Sequence, residues 1–230
     1  MLEPIDENLW HAVHRFRSLG IAVTSRMTVV RLTNGSLWLH APIPISPDLR
    51  KELDALGPVQ FIVAPNLFHH MFAGLAAQAY PRAVLFGAPG LRRKRTDLKQ
   101  LQELGSASQP IWQSDLEEVL VEGLPMLSES VWFHRGTATL IVTDILQWTQ
   151  GDVPWSARLY AQMQGVRRAL AVPRTLRWTT RDRIAVRRSF DAILRWPVKR
   201  LVIAHNLILE ERDNAAQKVR TALEAFMARL

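Results

Sequence analysis

Imidazole and carboxylate side chains follow several apolar runs of this chain, and together they could hold a metal ion. They are His40, His69, His70, His134, Asp144 and His205. Because loops at one edge of an α/β sheet collect reactive groups in a shared crevice, we expect several of them to converge. Three to five nitrogen and oxygen ligands with one vacancy suit a catalytic zinc, iron or manganese ion. The alternative at each position is a histidine that is hydrogen-bonded for structural reasons.

The amino-acid composition restricts the residue types that could hold a metal ion. The 230 residues include no cysteine, which excludes disulfides, a thiolate metal site, a cysteine nucleophile and an iron–sulfur cluster. Any metal must therefore be held by His, Asp, Glu or Asn. A chain without disulfides fits a reducing compartment, and we expect a cytoplasmic protein. The amino terminus, MLEPIDENLW, does not resemble a signal peptide, and no apolar run is long enough to span a membrane.

The apolar pattern predicts the elements that position these residues. Strands are expected at 26–32 and 36–40, joined by an Asn-Gly turn, and again at 59–64 and 83–86. Helices are expected at 46–56, where Ser46 can cap the first turn, and at 71–79. Later strands are expected at 119–121, 130–134, 137–143 and 201–204, and a closing helix at 214–230. Alternating strands and helices predict a layered α/β sandwich, with residues 1–230 in a single domain.

Five phrases carry a resemblance that extends from about Leu9 to Asn206. They are RMTVVRL, LGPVQFIVAPNLFHHMFAGL, YPRAVLFGAPGLRRKR, FHRGTATLIVTDIL and VKRLVIAHN. In this order they resemble the metallo-β-lactamase-like hydrolase superfamily, in a divergent branch of unknown function. The resemblance implies a four-layer αββα sandwich with a metal site at one edge of its two sheets. It also implies hydrolysis by water at one or two metal ions, usually zinc.

The superfamily's ligands carry over only in part. Its signature His-x-His-x-Asp-His, laid with the last His on His70, places Pro65 and Leu67 at the two leading histidines and His69 at the aspartate. The later Gly-His pair falls on Gly123 and Leu124, again without a histidine. The usual two-metal site therefore cannot be assembled.

Other positions of the pattern are retained. The bridging aspartate of the superfamily matches Asp144 and its last histidine matches His205, whereas the acid that ends an earlier strand is replaced by His40. His134 has no counterpart among the usual ligands, yet it also ends a strand run.

Two hypotheses follow from the partial match. In the first, a remodelled site holds one zinc, iron or manganese ion through His70, Asp144 and His205, joined by His134, His69 or His40, with Asp144 and His69 as catalytic residues. The protein is then a metal-dependent hydrolase of a small-molecule substrate. In the second, no metal is bound and the crevice serves a non-catalytic binding or interaction protein. The oligomeric state stays open, and the closing helix fits either internal packing or a homodimer.

Positive charge is concentrated in one segment. The whole chain has a formal charge of +8, yet residues 151–200 contain twelve Lys and Arg against three Asp. With Trp155, Trp178 and Trp196 interspersed, this segment could contact nucleic acid through phosphates and stacked bases. A solvated arginine face, with the tryptophans buried against the sandwich, is the favoured interpretation. A third hypothesis is that these arginines steer an anionic substrate. We expect no nucleic-acid or membrane partner.

Overall fold

Two β-sheets face each other in the computed structural model, which describes residues 1–18, 21–105, 111–205 and 207–230. The first sheet has strand order β1 to β7 and the second has order β12-β11-β10-β9-β8. The strands of the first sheet are β1 (Glu3–Asp6), β2 (Leu9–Ser18), β3 (Ile21–Arg31), β4 (Leu37–His40), β5 (Val59–Ala64), β6 (Val84–Gly87) and β7 (Gln102–Glu103). Those of the second are β8 (Leu116–Leu120), β9 (Ser130–His134), β10 (Thr139–Val142), β11 (Arg200–Ile203) and β12 (Ile208–Leu209).

Helices cover the outer faces of both sheets. They are α1 (Pro47–Leu56), α2 (Ala73–Ala79), α3 (Leu91–Lys94), α4 (Trp155–Gln164), α5 (Arg174–Thr179), α6 (Arg183–Ile193) and α7 (Ala215–Met227). The predicted helix at 46–56 begins as expected: Pro47 is its first residue, and the Ser46 hydroxyl accepts a hydrogen bond from the Leu49 backbone N–H at 3.2 Å.

Side chains that alternate between the two faces of each strand divide the apolar core into three parts, one between the sheets and one between each sheet and its helices. On β4, Leu37 and Leu39 pack towards α1 and α2, whereas Trp38 packs between the sheets. On β10, Ile141 meets the same inner layer, and its neighbours Leu140 and Val142 pack with residues of α6 and α7. Since successive strand residues point to opposite faces, each strand contributes to two layers. The predicted α/β architecture is confirmed as a four-layer αββα sandwich.

The amino-terminal strands and the arginine-rich segment differ from the expectations. The long antiparallel pair of β2 and β3 begins well before residue 26, the predicted start of the first strand. Trp155 and Trp178 are not buried against the sandwich, because 78% and 73% of their surfaces are exposed. Trp196 is partly buried against the sandwich, stacked on Phe133 with ring centroids 5.5 Å apart. Within the described residues, no helix is long and apolar enough to cross a membrane.

Candidate metal centre

Three of the predicted residues meet at one edge of the two sheets. His69 follows β5, Asp144 follows β10 and His205 follows β11. His205 Nε2 lies 3.1 Å from Asp144 Oδ1 and 3.0 Å from His69 Nε2, and His69 Nε2 lies 3.5 Å from Asp144 Oδ2. The three side chains come from segments up to 136 residues apart in sequence. The parallel pairing of β10 with β11 brings the latter two to the same edge.

These distances fit the ligand set of a metal ion. Tetrahedral nitrogen and oxygen ligands bound at about 2.0–2.1 Å lie about 3.3 Å from one another. The three separations in the cluster, 3.0, 3.1 and 3.5 Å, bracket that value. Among the described residues, this is the one group of three or more His, Cys, Asp or Glu side chains whose ligand atoms approach one another in this way. Two imidazoles and one carboxylate suit zinc, iron or manganese.

A backbone carbonyl orients His205. The Nδ1 atom of this imidazole lies 2.8 Å from the carbonyl oxygen of Thr24 on β3. Because a carbonyl oxygen only accepts, Nδ1 must carry the hydrogen, and Nε2 is left to face Asp144 and His69. A second ring nitrogen anchored in this way is characteristic of histidines that bind metals.

Electrostatics favour an ionised carboxylate at the centre of the cluster. Burial alone would raise the pKa of Asp144, but the charge of His69 and the hydrogen bonds from both imidazoles hold this pKa well below its usual value. Burial disfavours the charged form of His205, yet the hydrogen bond and charge of Asp144, together with the Thr24 carbonyl and the charge of Glu129, outweigh burial and raise its pKa. In the absence of a metal, the same cluster is therefore stabilised by a proton on His205.

Asn66 connects the loop after β5 to Asp144. This side chain is fully buried, and its Oδ1 accepts hydrogen bonds from the backbone N–H groups of Phe68 at 2.8 Å and His69 at 2.6 Å. Its Nδ2 donates to Asp144 Oδ2 at 2.7 Å and also contacts Thr143 Oγ1 at 2.8 Å. The tight turn closed by Oδ1 fixes which of the two adjacent histidines faces the cluster.

Glu129 holds the segment that carries Asp144. The buried carboxylate accepts hydrogen bonds from three consecutive backbone N–H groups, of Thr143 at 2.7 Å, Asp144 at 2.8 Å and Ile145 at 3.1 Å. Burial and the nearby charge of Asp144 raise the pKa of Glu129 to about 7. Sequence reasoning missed both Glu129 and Asn66. Their signal was a polar residue beside a mostly apolar strand, at the edge where the histidines were expected.

His70 does not join the cluster, which corrects its predicted role as a ligand. Its Nδ1 lies 3.2 Å from Arg95 Nη1, and its carbonyl accepts a hydrogen bond from the same guanidinium group at 2.8 Å. Burial and the charges of Lys94 and Arg95 lower the pKa of His70 to about 4. The preceding residue, His69, takes its place in the cluster, because the turn closed by Asn66 directs that side chain towards Asp144.

His40 lies behind the cluster rather than in it. Its ring is 1% exposed, between Trp38 at 5.4 Å and Trp132 at 5.1 Å between centroids. Neither of its ring nitrogens has a hydrogen-bond partner among the described residues. Burial, followed by the charge of His69, lowers the pKa of His40 to about 3, so the imidazole is neutral. Its packing between the sheets explains why it lies outside the cluster, contrary to its predicted place among the ligands.

His134 lies at the opposite edge of its sheet, which also corrects a predicted ligand. Strand β9 runs antiparallel to β10, so His134 pairs with Thr139 at the start of β10, whereas Asp144 follows the end of that strand. At about 3.3 Å per residue, this places the two side chains about 15 Å apart along the strand. His134 Nδ1 contacts the hydroxyl of Thr137 at 2.8 Å instead.

A cavity of about 740 Å³ opens over the three clustered residues. Its walls are mainly apolar, and they include Phe16, Val23, Phe68, Met71, Phe72, Leu127, Tyr160 and Leu176. Lys94 and Arg95 supply positive charge on one side. Arg95 pairs with Asp97 at 2.7 Å, whereas the Lys94 ammonium group donates to the Leu67 carbonyl at 2.6 Å and has no carboxylate partner among the described residues. Neither Leu67 nor Leu124 is among the described residues that line the cavity.

Comparison with solved structures defines the class of fold. The DIM-1 metallo-β-lactamase exposed to ceftazidime superposes with a TM-score of 0.66 at 14% identity, covering 98% of this chain and 96% of that chain. FIM-1 from Pseudomonas aeruginosa, in its mono-zinc form, gives 0.65 at 10% identity, with 99% and 96% covered. The metal-soaked Flv1 flavodiiron core from Synechocystis sp. PCC6803 gives 0.66 at 9% identity, with 99% and 60% covered. The protein has the metallo-β-lactamase fold.

Sequence comparison then assigns the family. Residues 7–169 match the family described as "Domain of unknown function (DUF4336)", and the chain belongs to that family. No curated protein matches the sequence. The predicted metallo-β-lactamase-like fold and the predicted assignment to a family of unknown function are thereby confirmed.

Proposed function

We propose that this protein is a metal-dependent hydrolase of a small-molecule substrate. One zinc, iron or manganese ion would be held by His69, Asp144 and His205 at the floor of the cavity. The observation that carries the proposal is the convergence of three ligand atoms with separations of 3.0 to 3.5 Å. The absence of cysteine leaves the cytoplasm as the proposed compartment.

Each residue of the site has a defined task in this proposal. An ion of this kind lowers the pKa of water and polarises an ester, amide or phosphoester oxygen. Asp144 stays ionised, so its carboxylate would hold the cation and could accept hydrogen bonds from water in the cavity. His69 and His205 present Nε2 to the same point. Lys94, whose ammonium group has no carboxylate partner among the described residues, would attract an anionic part of the substrate, and the apolar walls would exclude bulk water.

A non-catalytic binding protein is the second candidate, and one observation favours it. The separations of 3.0 and 3.1 Å around His205 Nε2 are also ordinary hydrogen-bond lengths, which a protonated imidazole would explain. Two signature positions occupied by histidine in the superfamily are Pro65 and Leu67 here. In this alternative the cavity binds a ligand without an ion.

Metal analysis separates the two candidates. The protein is stripped with a chelator, titrated with zinc, manganese or iron(II), dialysed and analysed for bound metal. We expect a single bound ion, with affinity about 100-fold lower in His69→Ala. His70→Ala is the matched control, because it removes the adjacent imidazole that faces Arg95, and it should retain the ion.

Activity is then tested on the loaded and stripped proteins with a panel of esters, lactones, amides and phosphodiesters. Hydrolysis that requires the ion and disappears in Asp144→Asn supports the proposal. An ion bound without hydrolysis of any substrate supports the metal site but contradicts the hydrolase activity. A stripped protein that takes up no ion, or one that loses the ion equally in His69→Ala and His70→Ala, contradicts the proposed metal site.

A further inference from the structure

The α4 helix exposes a row of apolar side chains to solvent. Trp155, Leu159 and Met163 are 78%, 48% and 66% exposed. Their spacing of four residues places them on one face of the helix, and we call them the α4 stripe. The buried residues of α4 are Ala161 and Gln164, so this helix turns its larger apolar residues outward. Such an arrangement is unfavourable in water, and exposed apolar rows of this kind are typical of surfaces that contact a partner or a membrane.

Arginines without acidic partners lie next to this stripe. Arg167, Arg168 and Arg174 line a cleft of about 330 Å³ at the carboxyl end of α4, and we call them the arginine cluster. Among the described residues, none of their guanidinium groups lies within 4.0 Å of a carboxylate, the ion-pair limit. Arg167 is held in place by the carbonyls of Thr149 at 2.8 Å and Gly151 at 3.0 Å.

The charged residues around the α4 stripe are almost all positive. Residues 155–184 contain seven Arg and a single acid, Asp182. That carboxylate caps α6, where it accepts hydrogen bonds from the N–H groups of Ile184 at 3.0 Å and Ala185 at 2.9 Å. Arg158 pairs with Asp152, just before this range, at 3.3 Å. The other six arginines have no carboxylate partner among the described residues, so their charge is left for an external anion.

We propose that the α4 stripe and the arginine cluster dock the protein onto a bilayer surface that carries anionic headgroups. Exposed Trp, Leu and Met next to uncompensated Arg have the composition of an interfacial helix, with apolar side chains in the acyl boundary and cations among the headgroups. Trp178, on the neighbouring α5, is 73% exposed and adds a second interfacial aromatic residue. This proposal departs from the expectation of no membrane partner, which rested on the lack of an apolar run long enough to span a bilayer; docking on the surface needs no such helix.

The aliphatic residues of the α4 stripe favour a bilayer over nucleic acid as the partner. Phosphates would attract the same arginines, and tryptophans can stack on bases. Leu159 and Met163, however, have no flat ring to stack, and they gain from transfer into an apolar layer. A bilayer uses both the charge and the aliphatic side chains.

Docking would also bring the cavity close to the bilayer. Tyr160, directly after Leu159, lines the cavity, and α5 contributes Thr175 and Leu176 to the same wall. The stripe and the cavity wall therefore share a helix of about 10 Å diameter. This docking does not depend on the proposed hydrolase activity, since neither the stripe nor the arginine cluster includes a residue of the metal centre.

Co-sedimentation with vesicles tests the proposal on the full chain. We expect the protein to sediment with phosphatidylcholine vesicles that contain phosphatidylglycerol, to remain in the supernatant with phosphatidylcholine alone, and to be released by salt. Trp155→Ala/Leu159→Ser/Met163→Ser should lower the partition coefficient by about tenfold or more. Arg168→Gln/Arg174→Gln should lower it by a similar factor, about tenfold or more.

The matched control replaces apolar residues of similar exposure outside the segment. Ile111 and Leu75 are 52% and 51% exposed, and Ile111→Ser/Leu75→Ser should leave the partition coefficient unchanged. Circular dichroism checks that each variant is folded. Absence of binding to anionic vesicles, or an equal loss in the control, overturns the proposal. Salt-sensitive binding to mixed DNA that persists in the stripe variant, without vesicle binding, assigns the arginines to nucleic acid and also overturns it.

Discussion

The side-chain amide of Asn66 donates a hydrogen bond to Asp144 Oδ2 at 2.7 Å, across the two sheets of the sandwich. The same residue closes the turn that presents His69, through hydrogen bonds to its Oδ1 of 2.8 and 2.6 Å. One buried side chain therefore sets the positions of two candidate ligands from different sheets. Such an outer partner contributes to metal affinity although it does not touch the ion.

Asn66→Ala should weaken both the fold and the metal site. It leaves buried N–H and oxygen groups without partners, and we expect unfolding free energy to fall by about 3 kcal/mol. Ion affinity should fall by about 10–100-fold. Urea unfolding and ion titration measure the two effects.

Asn34→Ala provides the control for this substitution. The Asn34 side chain also closes a turn, where it accepts hydrogen bonds from the Ser36 N–H at 2.9 Å and hydroxyl at 2.7 Å, away from the cluster. It should lower stability without changing ion affinity. Equal ion affinity in Asn66→Ala and the wild type would show that Asn66 does not position the ligands.

Ion binding should release a proton from His205. The hydrogen bond to Asp144 raises the pKa of this imidazole, so a proton must leave before Nε2 can bind a cation. Affinity should therefore increase with pH through the neutral range, and be higher at about pH 8 than at about pH 6. Calorimetric titration in buffers of different ionisation enthalpy measures the released proton. Affinity that does not change with pH would contradict a protonated His205 in the metal-free protein.

Acid should destabilise the protein partly through His40. Its pKa is lowered to about 3 by burial and by the charge of His69, whereas an unfolded histidine titrates near 6.5. A depressed pKa contributes stability above the unfolded value, and this is lost as the pH falls towards the folded value. Between about pH 7 and pH 5 the loss from His40 is about 2 kcal/mol.

His40→Phe tests this contribution, because a neutral aromatic ring fits between Trp38 and Trp132. The difference in unfolding free energy between wild type and variant should shift by about 2 kcal/mol over this pH range, in favour of the variant at low pH. The other histidines are present in both proteins and cancel from the comparison. A difference that stays constant with pH would show that His40 does not resist protonation.

Gly123 should tolerate no side chain. Its φ is +81°, and a Cβ atom would overlap the backbone carbonyl of Asp182 and lie 2.8 Å from Val186 Cγ2. We expect Gly123→Ala to cost about 3 kcal/mol of unfolding free energy. Gly151→Ala is the control: its φ of +72° is also positive, but nothing lies within 4 Å, so we expect a cost of about 1 kcal/mol. Similar losses in both variants would mean that contact with α6 is unimportant.

Much of the fold was predictable because its signals are local. The Ser46 cap with Pro47 marked the start of α1, and the apolar run at 59–64 marked β5. The extended pairing of β2 with β3 was missed, since His14, Arg15 and Arg17 interrupt the apolar pattern of β2. β2 is nevertheless extended because it pairs with β3 at ten positions, and this pairing is not visible in the local sequence pattern.

The candidate site was predictable only in part. The sequence prediction assumed that polar residues at strand ends converge at one edge of the sheet, and it selected His69, Asp144 and His205 but also His134. This assumption holds only for parallel strands. Because β9 is antiparallel to β10, His134 lies at the other edge. His40 does end its strand at the predicted edge of the sheet, but packing against Trp38 and Trp132 keeps its ring between the sheets.

By itself, the sequence determined the ligand chemistry and the layered architecture. The absence of cysteine restricts a metal site to imidazole, carboxylate and amide groups, and the alternation of strands and helices requires a sandwich. Only the tertiary structure decided between His69 and His70, because the buried amide of Asn66 directs one towards Asp144 while Arg95 holds the other. It also decided that Trp155 and Trp178 face solvent. Both outcomes depend on contacts between segments distant in sequence, which no local pattern records.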